Sequence, residues 1–198
     1  MGNIRELLLS KFPFMKDKVG RIIRPQQDFM KVLQENQQPG TLILLCGVEG
    51  CGKTTFAQKY LSGYTVINLD DILITYLRTH KFKGTAKEND ELNEIFFTRA
   101  TKSLKKGITV LDCANHDIMF RSLTLKKLKD HYKKVIIFVF NPDFNTIFTR
   151  IQKQIALRAR PGLFQDVRNQ YSVFQYQIEN HILELGVDEV HFLEIPKA

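Results

Sequence analysis

The run Gly47-Val48-Glu49-Gly50-Cys51-Gly52-Lys53-Thr54 has the spacing GxxxxGKT and directly follows an apolar segment from Thr41 to Cys46. A buried strand that turns sharply into a helix needs glycines here, because they let the backbone bend and point several N–H groups toward an anion. Gly47, Gly50, Gly52 and Thr55 are therefore candidates for cradling phosphates. Lys53 would reach the β- and γ-phosphates, and the Thr54 hydroxyl would hold Mg²⁺. The plainer reading is a glycine-rich turn with a chance lysine. Against it stand the strand before the loop and the helical stretch Thr55 to Leu61 after it, the context in which such a loop works.

Two further apolar runs end in carboxylates. Tyr64 to Leu69 runs into Asp70 and Asp71, and Ile108 to Leu111 runs into Asp112. Moving a phosphoryl group to a hydroxyl requires a carboxylate that orients or accepts the acceptor proton while cations hold the phosphates in line. Asp70 is the candidate base and Asp71 a candidate substrate contact, although one of them could simply cap the helix that begins near Ile72. Asp112 is placed like an acidic partner of magnesium. A basic stretch holding Arg150, Lys153, Arg158 and Arg160 is broken by Pro161-Gly162. It has the composition of a lid that brings a guanidinium to phosphate oxygens, with a basic helix end as the competing account.

These residues need a scaffold that collects strand ends. Short apolar runs at 41–46, 64–69, 108–111, 135–140 and 190–195 alternate with longer segments of helical spacing. That pattern predicts an α/β fold, a parallel five-stranded sheet with helices on both faces and ligands at the carboxyl ends of the strands. Asn141-Pro142 reads as a helix cap followed by a first-turn proline. The stripe Phe164, Val167, Tyr171, Phe174, Ile178 and Ile182 is one-sided and reads as core rather than as a base-stacking surface. Residues 1–38 read as an extension of two short helices, the second near 26–37 with Phe29, Val32 and Leu33 turned toward the body, and 39–198 as the main domain.

Composition narrows the possible functions. With 198 residues, 43% of them hydrophobic and 25% charged, the chain fits an ordinary globular domain. It has no apolar run of membrane-spanning length and no signal-peptide pattern, and Glu6 stands where a myristoylation signal wants Ser or Thr. Cys46, Cys51 and Cys113 form no CxxC pair and read as reduced thiols of a cytoplasmic protein. The five histidines lack zinc-ligand spacing. The net charge of +8 is concentrated at 121–134 and 150–168, which suits a polyanionic partner, although a solvated helix face accounts equally for Lys126, Lys127 and Lys129. Nothing indicates an obligate protein partner.

From Leu42 to Tyr176 the chain resembles the kinase domain of phage-type polynucleotide 5′-hydroxyl kinase and its P-loop relatives. The resemblance rests on GxxxxGKT, on Asn-x-Asp-Asp at a strand end, on Asp-x-x-Asn with Arg six residues later, and on an arginine-bearing segment before a long helix. It implies a P-loop kinase fold that uses ATP or another NTP with Mg²⁺ and acts on nucleic acid 5′-hydroxyl ends. By position it places the general base on Asp70, the phosphate lysine on Lys53, the metal ligands on Thr54 and Asp112, and the lid arginine on Arg158 or Arg160. Asn115 and Arg121 complete its third-strand motif as substrate-side residues. The family's arginine three residues after the base is replaced by Leu73, and Arg78, farther along, is the candidate substitute.

Other functions share parts of this pattern. A kinase of a small hydroxyl metabolite, nucleotide sugar or antibiotic would use the same loop and base but leaves the basic charge unexplained. A kinase of aminoacylated tRNA would fit loop and charge, yet calls for a larger RNA-binding region. A non-catalytic nucleotide-responsive module would need the loop without Asp70.

Overall fold

The computed structural model describes residues 4–11, 21–25, 29–158, 163–183 and 185–194. In chain order the elements are α1 (Ile4–Lys11), β1 (Arg21–Pro25), α2 (Phe29–Glu35), β2 (Thr41–Cys46), α3 (Lys53–Tyr60), β3 (Thr65–Asn68) and α4 (Leu69–Leu77). They continue with α5 (Ala86–Leu104), β4 (Thr109–Asp112), α6 (Ile118–Leu128), β5 (Lys134–Phe140), α7 (Phe144–Arg158), α8 (Leu163–Glu179) and β6 (Glu189–Glu194).

All strand pairs are parallel, in the order β1-β6-β5-β2-β4-β3. Strand β2 lies between β5 and β4, in register from Ile43 to Ile136 and to Val110. Every residue of β2 is buried, as a central strand covered on both faces requires. Its side chains alternate between two cores. Leu42, Leu44 and Cys46 join a cluster with Phe96, Leu111, Ile137 and Phe174, whereas Ile43 and Leu45 join one with Phe29, Phe56, Val110 and Phe138. From β2 the chain runs out to β3, returns to β4 and then crosses to β5. The end of β2 is therefore the point where strand order reverses, where open α/β sheets place their crevice.

The five expected strands are present, and β1 adds a sixth. Residues 1–38, expected as an extension of two short helices, contain α1 and α2 and also this strand, which pairs along β6 from Arg21–Val190 to Pro25–Glu194. Phe29, Val32 and Leu33 are fully buried as expected, with the Phe29 ring edge-on to Phe138 at 4.3 Å and to Phe56 at 5.7 Å. Burying side chains of this size contributes about 1.5–3 kcal/mol each, so α2 is part of the body rather than a loose appendage. The stripe on α8 is core at Val167, Phe174 and Ile178, and Ile182 is buried just beyond the helix. No helix among the described residues is long and apolar enough to cross a membrane.

One cap differs from expectation. Asp143 rather than Asn141 caps α7, its carboxylate accepting from the Thr146 amide at 3.0 Å and the Thr146 hydroxyl at 2.7 Å. Pro142 therefore precedes the helix. A carboxylate at this position outcompetes an amide two residues earlier because it reaches the free first-turn N–H directly and favours the positive helix end.

Candidate active site

The loop after β2 is held by close packing. A methyl group on Gly47 would lie 2.5 Å from the Phe140 carbonyl oxygen and 2.6 Å from the Cys51 sulfur, so only hydrogen fits between β2 and β5 here. Gly52 forms the N-cap of α3 in a left-handed conformation, φ +105°, and supplies no side-chain cap. The first-turn N–H groups of Lys53, Thr54 and Thr55 have no intrahelical acceptor, which leaves a positive helix end open to an anion. Lys53 Nζ curls back to donate to the carbonyls of Gly47 at 2.7 Å and Val48 at 3.1 Å, and lies 3.6 Å from the Cys51 sulfur. Burial is the largest single influence and opposes its charge, but Cys51, the Asp112 carboxylate and Cys46 together outweigh it and hold its pKa above the ordinary lysine value.

Next to the loop, Asp112 at the end of β4 is only 4% exposed. Its Oδ2 accepts from the Thr54 hydroxyl and from Asn68 Nδ2, both at 2.8 Å. Burial raises its pKa, the Thr54 and Asn68 hydrogen bonds and the Lys53 charge pull it down, and the charge of Asp70 pushes it up. The pairing of a threonine hydroxyl with a carboxylate is a hard-oxygen donor set, the kind magnesium takes, and it adjoins the uncapped end of α3. The residues present therefore fit both the nucleotide phosphates and the cation expected from the sequence.

Asn68 was expected only as the first residue of Asn-x-Asp-Asp, with no role of its own. It caps α4, its Oδ1 accepting from the Asp71 amide at 3.1 Å, while its Nδ2 holds Asp112. Neither aspartate is needed as a cap, so both carboxylates stay available in the first turn of α4. Asp70 and Asp71 are exposed, and Asp70 lies close enough to act electrostatically on Asp112.

Arg150, expected only as one cation of the basic stretch that could form a lid, is instead bound to the loop itself. From α7 its Nη1 donates to the Cys51 carbonyl at 3.1 Å and approaches that of Gly50 at 3.5 Å, fastening the phosphate loop to α7. Of the expected lid arginines, Arg158 is the last residue of α7 and Arg160 lies outside the described residues. Arg78 follows α4 and is exposed.

Asn115 and Arg121 are placed differently from the expected substrate side. Both are 0% exposed. Asn115 Nδ2 donates to the carbonyls of Leu45 at 3.1 Å and Leu111 at 3.0 Å, joining β2 to β4. Arg121 donates to the carbonyls of Asn115 at 2.7 Å and Ile182 at 3.3 Å and to Gln177 Oε1 at 3.3 Å. A guanidinium so enclosed is kept in the core by carbonyl acceptors, so these two residues brace the β4–α6 turn instead of facing an acceptor. The surface charge counted at 121–134 is lower by this one cation.

His116, in the same turn, has a buried Nδ1 with no hydrogen-bond partner among the described residues. Burial, then the Lys53 charge, push its pKa down to about 4, with Arg121 lowering it further and Asp117 opposing. Its imidazole is neutral near pH 7. Among the described residues no group of three or more His, Cys, Asp or Glu side chains could hold a metal, and the three cysteines are unpaired.

Comparison with known proteins agrees with this geometry. An AAA domain family model (AAA_33) matches residues 42–170. A chain of the Pnkp1/Rnl/Hen1 RNA repair complex superposes with a TM-score of 0.62 at 16% identity, covering 72% of this chain and 46% of that one. This chain thus spans less than half of that protein. Shikimate kinase from Acinetobacter baumannii in complex with shikimate superposes with a TM-score of 0.51 at 14% identity, covering 85% and 88%. At these identities the likeness shows the fold alone. None of the curated proteins is matched by the chain. With its phosphate loop, sheet order and family match in agreement, the chain belongs to the AAA_33 family and has the P-loop kinase fold.

Proposed function

We propose that this protein is a kinase that transfers the γ-phosphate of ATP, or of another NTP, to the 5′-hydroxyl end of a nucleic acid. One observation carries the reading. Asp70 stands exposed in the first turn of α4, on the sheet edge that holds the phosphate loop and beside Asp112, while Asn68 does the capping that would otherwise occupy it. A nucleotide-responsive module without catalysis has no use for that carboxylate.

The residues divide the work. The first-turn amides of α3 and Lys53 bind the nucleotide phosphates, with Lys53 exchanging its contacts to the Gly47 and Val48 carbonyls for phosphate oxygens. Thr54 and Asp112 would hold Mg²⁺, which supplies charge neutralisation for phosphoryl transfer when bound. Asp70 orients the acceptor hydroxyl and takes its proton as the oxygen attacks phosphorus. Arg150 keeps the loop closed around its ligand, and Arg158 or Arg160 is the proposed source of a guanidinium on the transferring group.

Support for a nucleic acid acceptor comes from the net charge of +8 and the likeness to a chain of an RNA repair complex. The likeness to shikimate kinase favours the second reading, a small hydroxyl metabolite as acceptor. The protein belongs, on this proposal, in an aqueous compartment with reduced thiols such as the cytoplasm. The deciding experiment supplies γ-labelled ATP, magnesium and a panel of 5′-hydroxyl DNA, 5′-hydroxyl RNA and small hydroxyl metabolites. Label on oligonucleotide ends is the expected result, and label on metabolites alone would overturn the assignment.

A further inference from the structure

The acceptor side of the site continues along α4. Asp70, Ile74, Leu77 and Arg78 stand at i, i+4, i+7 and i+8, so they share one helix face, and all four are exposed. Ile74 is 51% and Leu77 49% exposed, unusual for large aliphatic side chains unless something covers them. The eight-residue step from Asp70 to Arg78 spans about 12 Å at the helical rise.

At the far end of this track, the segment joining α4 to α5 combines cations with rings. Between Asp71 and Glu88 the chain carries Arg78, Lys81, Lys83 and Lys87 and no carboxylate. Arg78, Lys81 and Lys83 are exposed. Within this segment the Tyr76 and His80 rings stack, with centroids 4.2 Å apart and planes 14° from parallel. Phe82 meets Tyr76 edge-on at 6.4 Å. The stack is locked in place. Tyr76 donates its hydroxyl to Glu91 at 2.7 Å, and His80 Nδ1 lies 2.8 Å from the Thr79 hydroxyl. Glu88 in turn accepts from the amides of Lys83 and Thr85 and from the Thr85 hydroxyl, which fixes the loop on the start of α5. His80 is exposed, so its face away from Tyr76 is open to solvent.

We propose that this α4–α5 segment is a platform for single-stranded nucleic acid, on which a base continues the Tyr76–His80 stack while Arg78, Lys81 and Lys83 take the flanking phosphates. It deepens the reading of Asp70 as the residue facing the acceptor hydroxyl. A strand whose 5′ end is at Asp70 would run over Ile74 and Leu77 and reach the platform within a few nucleotides. Rings offer every base a face, and cations beside them track the backbone, so the surface binds single strands with little regard to sequence. A fixed stack costs little further order on binding, which separates it from a mobile basic loop.

The test is direct binding, measured by fluorescence anisotropy with short 3′-labelled single strands that carry a 5′-hydroxyl, in the absence of nucleotide. The triple variant Arg78→Gln, Lys81→Gln, Lys83→Gln is expected to bind at least tenfold more weakly. Its log–log salt slope should be shallower by about 2, as loss of three single-strand phosphate contacts requires. His80→Ala is expected to weaken binding about tenfold, the scale of one lost base stack, while His80→Phe retains it. Thermal unfolding midpoints of all variants verify folding.

Unchanged affinity and slope in the triple variant would overturn the platform, as would a wild-type protein that binds no single strand. Loss confined to the triple variant, with His80→Ala at full affinity, would leave only a base-blind basic patch and overturn the stack. Transfer to 5′-hydroxyl ends is scored separately. Transfer without platform-dependent binding sinks the platform alone, whereas platform-dependent binding without transfer sinks the kinase assignment and keeps the platform.

Discussion

The two sides of the catalytic edge are built in opposite ways. On the phosphate side, the side chains around the open first turn of α3 are held by protein partners: Lys53 on loop carbonyls, Thr54 and Asn68 on Asp112, and Arg150 on the Cys51 carbonyl. On the acceptor side, Asp70, Ile74, Leu77 and Arg78 face solvent. Phosphates of any nucleoside triphosphate present the same charges and geometry, so their cradle can be prearranged once and kept rigid. An acceptor differs from one enzyme to the next. On the proposed reading, its surface is left open for the acceptor to complete.

The sharpest way to break this contrast is to change the residue at the boundary. Asp70→Asn should slow transfer by about 10²–10⁴-fold, the range for a general base, while calorimetry finds nucleotide affinity unchanged. Normal turnover would show that the acceptor side contributes no proton acceptor and that the division of labour is wrong.

A smaller effect tests whether the rigid side depends on its buried braces. Arg121→Met removes a guanidinium that satisfies the Asn115 and Ile182 carbonyls and Gln177. Stranding such groups costs on the order of 3 kcal/mol, at about 1–3 kcal/mol for each buried group left unpaired. In a chain of this size that lowers the thermal midpoint by roughly 6–12 °C. A stable variant with lost oligonucleotide binding would return Arg121 to the substrate side.

His116 gives the same region a pH signature. Its folded pKa of about 4 lies below the ordinary 6.5, so the unfolded chain binds a proton that the native state does not. The stability it contributes is fully present above pH 6.5 and is lost as pH falls through about 4. Urea titrations should show wild type losing on the order of 2–3 kcal/mol relative to His116→Gln across that window. A parallel pH dependence of the two proteins would mean the imidazole charges freely in the fold.

The mildest change concerns the open side. Thr85 caps α5 in a reciprocal box with Glu88. Thr85→Ala should cost about 1 kcal/mol, a drop of roughly 2–4 °C on thermal unfolding. A much larger loss would show that the α4–α5 segment supports the core and is not merely mounted on it.

How much of this could be read beforehand follows from how local each signal is. The phosphate loop was legible because its glycines, lysine and threonine fall within one stretch of eight residues, and a central strand must precede them as a continuous apolar run. The stripe on α8 was legible because its apolar residues recur at steps of three or four along one continuous helix. Strand β1 was missed because Arg-Ile-Ile-Arg-Pro holds only two apolar residues between charges. Such a sequence suits an edge strand, whose open side tolerates arginine and proline. The dual use of Asn68 was hidden, since its second partner lies 44 residues away. Arg121 misled because arginine is almost never fully buried unless paired, and its acceptors at 115, 177 and 182 come together only in the folded chain.

Asn68 has a mechanical consequence. One amide fastens the first turn of α4 with its oxygen and donates to the Asp112 carboxylate at the end of β4 with its nitrogen, so on the proposed reading a tilt of α4 would pull on a residue that would hold the cation. Acceptor and metal binding, as proposed, would thereby share a lever. Whatever factor acceptor docking adds to metal affinity, metal must return to acceptor affinity, and the two would load in concert rather than in a fixed order.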